Sequence, residues 1–183
     1  APRTVRLDLP DRSVSYTTDR GVFAAAQVDP ATKYLLLDAP PPPDTGTFLD
    51  LGCGYGPIAC TLAARRPRAS IWAVDVNRRA LDLCAANAVA QGLANVSVFE
   101  PTTTPNRPLD LIWSNPPIRI GKHALHDLLR LWLGRLRTGG AGLFVVHRHL
   151  GSDSLQRWLD TEGWPTTRLG SRDGNRLLRV MAP

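Results

Sequence analysis

The most chemically distinctive residues in the chain are Asn115-Pro116-Pro117-Ile118. The asparagine carboxamide oxygen and the main-chain carbonyl of Pro116 are two hydrogen-bond acceptors one residue apart, on a backbone that two prolines stiffen. Such a pair suits a nitrogen that must be turned. An exocyclic amine conjugated to a ring delocalises its lone pair and is a poor nucleophile. If each of its hydrogens is taken by one acceptor, the lone pair is directed toward an electrophilic carbon. Alignment of this kind can supply several kcal/mol of barrier lowering, on the order of the lower half of what proximity offers. The alkylated nitrogen then loses its proton to water, so no carboxylate or histidine base is needed. A proline-stiffened turn at a strand end would use the same residues, but the paired acceptors favour the amine-orienting reading.

An electrophile needs a seat, and the segment Asp50-Leu51-Gly52-Cys53-Gly54-Tyr55-Gly56 has the composition of one. Gly52, Gly54 and Gly56 let the backbone turn sharply and leave a ligand room against bare main chain. The spacing G-x-G-x-G differs from the dinucleotide fingerprint G-x-G-x-x-G and lacks the lysine of a phosphate-binding loop, which disfavours a pyrophosphate ligand. Asp50, just before the glycines, can hold the cationic amino group of S-adenosylmethionine or order the loop around it. Twenty-five positions on, Asp75 ends an apolar run. There it can accept both hydroxyls of an adenosine ribose, or cap the next helix; the glycine loop at this separation favours the ribose. Cys53 and Val76 belong to the same expected cofactor contacts. A methyl donor of this kind carries the reactive group itself and leaves alignment to the protein.

These motifs need elements to carry them, and the sequence alternates strand and helix patterns. Strands are predicted over 47–51, 70–74, 96–99, 109–113 and 141–147, the last closed in by Gly139 and Gly140. Helices are predicted over 57–66, 78–91 and 123–136, the first with proline in its permitted first turn and the second stopped near Gly92. After a short helix over 154–159, runs at 166–169 and 176–181 flank an Asp173-Gly174 turn and read as an antiparallel hairpin. The expected fold is an α/β, Rossmann-like sheet of seven mostly parallel strands with a C-terminal hairpin and helices on both faces. One domain over 1–183 is expected, with 1–43 as an N-terminal lid or extension and 44–183 as the core. Pro40 to Pro43 would be a stiff spacer.

Composition narrows the setting. With 183 residues, 43% of them hydrophobic, the chain can bury a core of its own. No apolar run is long enough to span a bilayer and the first ten residues do not form a signal peptide, so a soluble cytoplasmic protein without membrane contact is expected. Three cysteines, Cys53, Cys60 and Cys84, include no C-x-x-C pair, and His147 and His149 have no cysteine or carboxylate pattern beside them. Neither a disulfide framework nor a metal site is expected. The net charge of +6 favours an acidic partner such as RNA or DNA, although Arg65, Arg66 and Arg68 read as solvated caps of a helix end. Arg119 and Lys122 flank the Asn-Pro-Pro loop and can hold substrate phosphate; a structural ion pair is an equal reading for Arg119. Trp113, Trp132 and Trp158 read as packing.

Several strings together resemble a known family. They are Thr18-Asp19-Arg20-Gly21-Val22-Phe23, Asp29-Pro30-Ala31-Thr32 ahead of Leu35-Leu36-Leu37, Asp50 to Gly56, Ser114 to Lys122, and Asp173 to Arg179. From about Val5 to the end the chain resembles small-domain methyltransferases related to the 16S ribosomal RNA guanine-N2 methyltransferases. The resemblance implies S-adenosyl-L-methionine as donor, a guanine exocyclic N2 as acceptor, a lid formed by the N-terminal segment, and ribosomal RNA or the small ribosomal subunit as partner. It implies that Phe23, Asp29 and Thr32 lie close to the cofactor; a core aromatic and a helix N-cap with its first turn are the even alternatives. Relatives often carry glycine where this chain has Ala31. Ile118 stands where many amine methyltransferases have an aromatic, giving up about 1 to 3 kcal/mol of base stacking. The adenine amino group is usually met by an acid after the third strand, which here is Glu100, with an exposed loop acid as its alternative. Two other functions stay open: N-methylation of a protein glutamine or small amine, and a non-catalytic cofactor- or RNA-binding module.

Overall fold

Each short apolar run becomes a strand because, sandwiched between helices on both faces, its side chains of either parity can be buried. The computed structural model describes residues 1–183. Its strands β3 (Thr47–Leu51), β4 (Ser70–Val74), β5 (Val96–Phe99), β6 (Leu109–Ser114) and β7 (Leu136–His147) run parallel. The hairpin β8 (Thr166–Arg172) and β9 (Asn175–Met181) completes a seven-stranded sheet of order β5-β4-β3-β6-β7-β9-β8, with β9 antiparallel to both neighbours. The chain winds outward from β3 through β4 to β5, then returns to β6 on the other side of β3. The C-terminal ends of β3 and β6 therefore diverge at a switch point, where an open α/β sheet leaves a crevice.

The pleat decides which helix each strand residue meets. Phe48, Ile71, Ala73, Trp113 and Val145 pack toward helices α1 (Pro30–Asp38), α2 (Pro57–Arg65) and α3 (Arg78–Ala90). Residues of the opposite parity, Leu49, Leu51, Val74, Ile112 and Phe144, pack toward α4 (Lys122–Leu133) and α5 (Ser152–Thr161). The expected Rossmann-like architecture with helices on both faces is the observed one.

Three details differ from the sequence reading. Helix α4 stops at Leu133, not at 136, because Gly134 closes it and Leu136 already pairs with Leu109 as the first residue of β7. Gly139 and Gly140 consequently lie inside β7, across a register shift. An apolar leucine continues a helical stripe or opens a strand equally well, so periodicity misplaced the boundary. The third difference is the N-terminal segment, which forms a two-stranded hairpin of β1 (Arg3–Leu9) and β2 (Arg12–Thr18), followed by α1.

Val5, Leu7, Leu9 and Tyr16 of that hairpin are buried in the same core as α1 to α3. Asn87 of α3 fastens it: its Nδ2 donates to the carbonyls of Thr17 and Tyr55 at 3.1 and 2.8 Å, and its Oδ1 accepts from the Thr17 N–H. The arginines at the end of α2 serve the same end. Arg65 donates twice to Asp11 and once to the Leu36 carbonyl, and Arg66 donates to the carbonyl of Pro42 in the proline run. They are structural ties between elements rather than solvated caps. Trp113 and Trp132 are fully buried packing residues.

Candidate active site

A cleft of about 710 Å³ opens at the C-terminal ends of β3, β4, β6 and β7, within the size range of small-molecule sites. Its floor is the loop between β3 and α2. Gly52 and Cys53 both donate their N–H groups to the Val74 carbonyl, at 2.8 and 3.0 Å, which folds the loop back onto the neighbouring strand. Gly54 holds φ +55, and a Cβ built there would meet nothing within 4 Å, so the bare backbone faces open space. Gly56 differs. It holds φ +104, and a Cβ would lie 2.8 Å from the Cys84 sulfur, so this glycine serves helix packing and does not line the cleft.

Asp50 is completely buried beneath the loop and also stays out of the cleft. Its Oδ2 accepts the N–H of Ala59 at 2.9 Å in the first turn of α2, while Oδ1 has no partner. Burial pushes its pKa up to about 8, with Asp75 adding to the shift against the Ala59 hydrogen bond. Of the two roles open to Asp50, ordering the loop is the one this geometry performs directly. Cys53 lines the cleft. The neighbouring Cys84 thiol and burial push its own thiol well above the ordinary range, which disfavours a nucleophilic role.

Asp75 is half-buried at the rim. Oδ2 accepts from the Gly54 N–H and Oδ1 from the Asn77 N–H, both at 2.9 Å. One lone pair on each oxygen remains for a ligand hydroxyl. The capping of α3 falls instead to Asn77, which accepts from Arg79 and Ala80. Two apolar side chains border the cleft largely uncovered, Phe23 at 67% and Val76 at 87% exposure. Phe23 is not a core aromatic. Glu100 pairs with Arg78 at 2.6 Å and does not line the cleft, whereas its neighbour Pro101 does.

Opposite the glycines, β6 ends in the Asn-Pro-Pro elbow. Asn115 Nδ2 donates to Asp29 Oδ2 and to Thr32 Oγ1, both at 3.1 Å. Asp29 is also the N-cap of α1, accepting from the N–H groups of Ala31 and Thr32. Cap and motif are thus one cluster, and it fixes the carboxamide with both amide hydrogens spent and Oδ1 free. The Pro116 carbonyl accepts the Ile118 N–H at 2.8 Å, leaving its second lone pair available. Pro116, Pro117, Ile118 and Arg119 line the cleft beside Asn115. Lys122 stands just outside, bordering a smaller hollow that shares Ile118. Arg119 and Lys122 are exposed and neither makes an ion pair.

The sequence reading missed part of the wall. His147 and Asn175 line the cleft from β7 and β9, and only the pairing of those strands brings them beside Asn115. No group of histidine, cysteine and acidic side chains is arranged to hold a metal ion, and no helix is long and apolar enough to cross a membrane.

Comparison with known proteins fits this arrangement. Residues 13–162 match the family model described as the methyltransferase small domain. The chain belongs to that family. A relative from Bacillus subtilis, the uncharacterized protein YbxB, is 33% identical over 150 residues, spanning 80% of this chain and 75% of its own. The ribosomal RNA small subunit methyltransferase C of Shewanella piezotolerans is 32% identical over 79% of this chain, but this covers only 43% of that protein. The small-domain chain therefore spans less than half the length of those ribosomal RNA methyltransferases. Among solved structures, the 16S rRNA N2 methyltransferase of T. thermophilus in complex with AdoMet and guanosine superposes with a TM-score of 0.83, at 21% identity, over all of this chain and 51% of its own. A methyltransferase from Pyrococcus furiosus gives 0.67 at 17% identity, over 81% and 80%. These likenesses establish the class I methyltransferase fold.

Proposed function

We propose that this protein transfers a methyl group from S-adenosyl-L-methionine to the exocyclic N2 of a guanine in 16S ribosomal RNA. The observation that carries the reading is the state of Asn115: its amide nitrogen is held by Asp29 and Thr32, so its oxygen is left free next to the Pro116 carbonyl. Two acceptors fixed in this way can take both hydrogens of a neutral amine. An amide free to flip would present a donor half the time.

The residues present fit the donor. Gly54 leaves the space of a side chain open, Asp75 retains acceptor capacity for ribose hydroxyls, and Phe23 and Val76 offer uncovered apolar surface to a flat base. S-adenosylmethionine, when bound, supplies a methyl group on a cationic sulfur. The protein holds the amine, borders it with the apolar Val22, Pro117 and Ile118, and requires no general base because the product nitrogen sheds its proton readily. Arg119 and Lys122, exposed and unpaired, suit the phosphates of an RNA. The names of the relatives, methyltransferases of small-subunit ribosomal RNA, support this acceptor over a protein or small amine.

The test is methyl transfer from labelled donor to 16S ribosomal RNA and to small subunits, with nucleoside mass spectrometry of the product. N2-methylguanosine is expected, and Asn115→Ala should lower its rate about 100-fold or more. A methyl group found on another base, a peptide or a metabolite overturns the guanine assignment.

A further inference from the structure

The far wall of the cleft contains a polar group that the transfer step does not use. Asn175, the first residue of β9, is 8% exposed and lines the cleft. Its backbone sits in the ladder opposite His147, yet its carboxamide hydrogen-bonds to nothing in the protein. A carboxamide in that state keeps its donor and its acceptor for a ligand in the cleft.

The registers locate it relative to the elbow. Parallel pairing sets Ser114 level with Phe144, and continuing along both strands brings Asn115 and Pro116 level with Val145 and Val146. Those residues oppose Leu177 and Arg176 across the antiparallel ladder, so Asn175 lies one residue further along and two strands across. At the usual strand spacing this is about 10 Å. Trp113, Val145 and Leu177 point into one core cluster. The period of two therefore puts Asn115, His147 and Asn175 on one face as well. Between the two asparagines, His147 has both ring nitrogens engaged, Nδ1 accepting from the His149 N–H and Nε2 lying 3.1 Å from the Asp173 carbonyl. Asn175 is thus the group on this wall with a free donor and a free acceptor.

We propose that Asn175 selects the acceptor base, its Oδ1 accepting the N1–H and its Nδ2 donating to O6 of the guanine whose N2 amine is held at Asn115 and Pro116. The proposal rests on the guanine reading given above. Along its pairing edge guanine presents an amine, then a ring N–H, then a carbonyl oxygen. Beyond the amine, adenine offers a bare ring nitrogen and a carbon, and cytosine offers two acceptors. Only guanine supplies one donor and one acceptor to a single carboxamide.

The experiment compares binding of guanosine and of 2-aminopurine riboside to the donor-loaded protein by calorimetry. The second nucleoside keeps the exocyclic amine but has a bare N1 and no O6. The wild type is expected to prefer guanosine by about tenfold or more. Asn175→Leu and the smaller polar Asn175→Ser should each reduce that preference to about twofold, with donor affinity and melting midpoint near wild type as the check on folding. If both variants keep the wild-type preference, the role of Asn175 is overturned while the guanine reading stands. If the wild type binds guanosine no better than the analogue, the role is overturned directly. If it binds neither nucleoside while methylating a different acceptor, both readings fall.

Discussion

Asp50 shows how a single buried residue can order a site from beneath it. It is sealed under the glycine loop, accepts one N–H from α2, and leaves its other oxygen unpaired. In the unfolded chain its carboxyl ionises near the usual value of about 3.9; in the folded protein burial pushes it up to about 8. The folded state therefore binds more protons between those values. The stability associated with Asp50 is fully present below about pH 4 and is lost as the pH rises through about 8. Asp50→Asn removes the titration while keeping an acceptor for Ala59. The melting midpoint of this variant should gain on that of the wild type from pH 5 to pH 8.5, and the gap should close at pH 4. Parallel curves across that range would show that Asp50 does not hold a raised pKa.

At the scale of elements, the three glycines between β3 and α2 have different duties. Gly56 combines φ +104 with a Cβ position 2.8 Å from the Cys84 sulfur, so Gly56→Ala should destabilise the fold by about 2 to 4 kcal/mol through backbone strain and overpacking. Gly54 has positive φ but open space around it. Gly54→Ala should cost about 1 to 2 kcal/mol of stability while weakening S-adenosylmethionine binding by about tenfold. Urea melts and donor titrations of both variants separate packing from binding; equal effects on both measurements would refute the division. The glycine loop was legible in the sequence because its spacing falls between a strand and a helix, and local conformation governs it. The duties of its members were not, since they depend on what lies across the loop, Cys84 for Gly56 and solvent for Gly54. The N-terminal hairpin was hidden for a related reason. Arg6, Asp8 and Arg12 make it look like a charged extension, and its alternate Val5, Leu7 and Leu9 matter only once α1 to α3 offer a face to cover.

Over the whole molecule, a basic chain of net charge +6 exposes Arg119 and Lys122 beside the elbow without acidic partners. If RNA phosphates occupy them, each alanine substitution should weaken binding to all ribosomal RNA sequences alike and reduce the slope of log affinity against log salt by about 0.7 to 0.9. An unchanged slope would place the RNA elsewhere on the surface. The sequence by itself determined the alternation of strand and helix, the glycine loop, the Asn-Pro-Pro elbow and the class of fold, because hydrophobic period, turn chemistry and proline geometry act over a few neighbouring residues. Only the tertiary structure decided that Asp29 and Thr32 orient the Asn115 amide from 86 and 83 residues away. It also decided that Asp50 is sealed off and that Asn175 lines the same cleft as Asn115. Those facts come from strand order and register, which are fixed by how apolar faces pair across the whole sheet and leave no signature in local spacing.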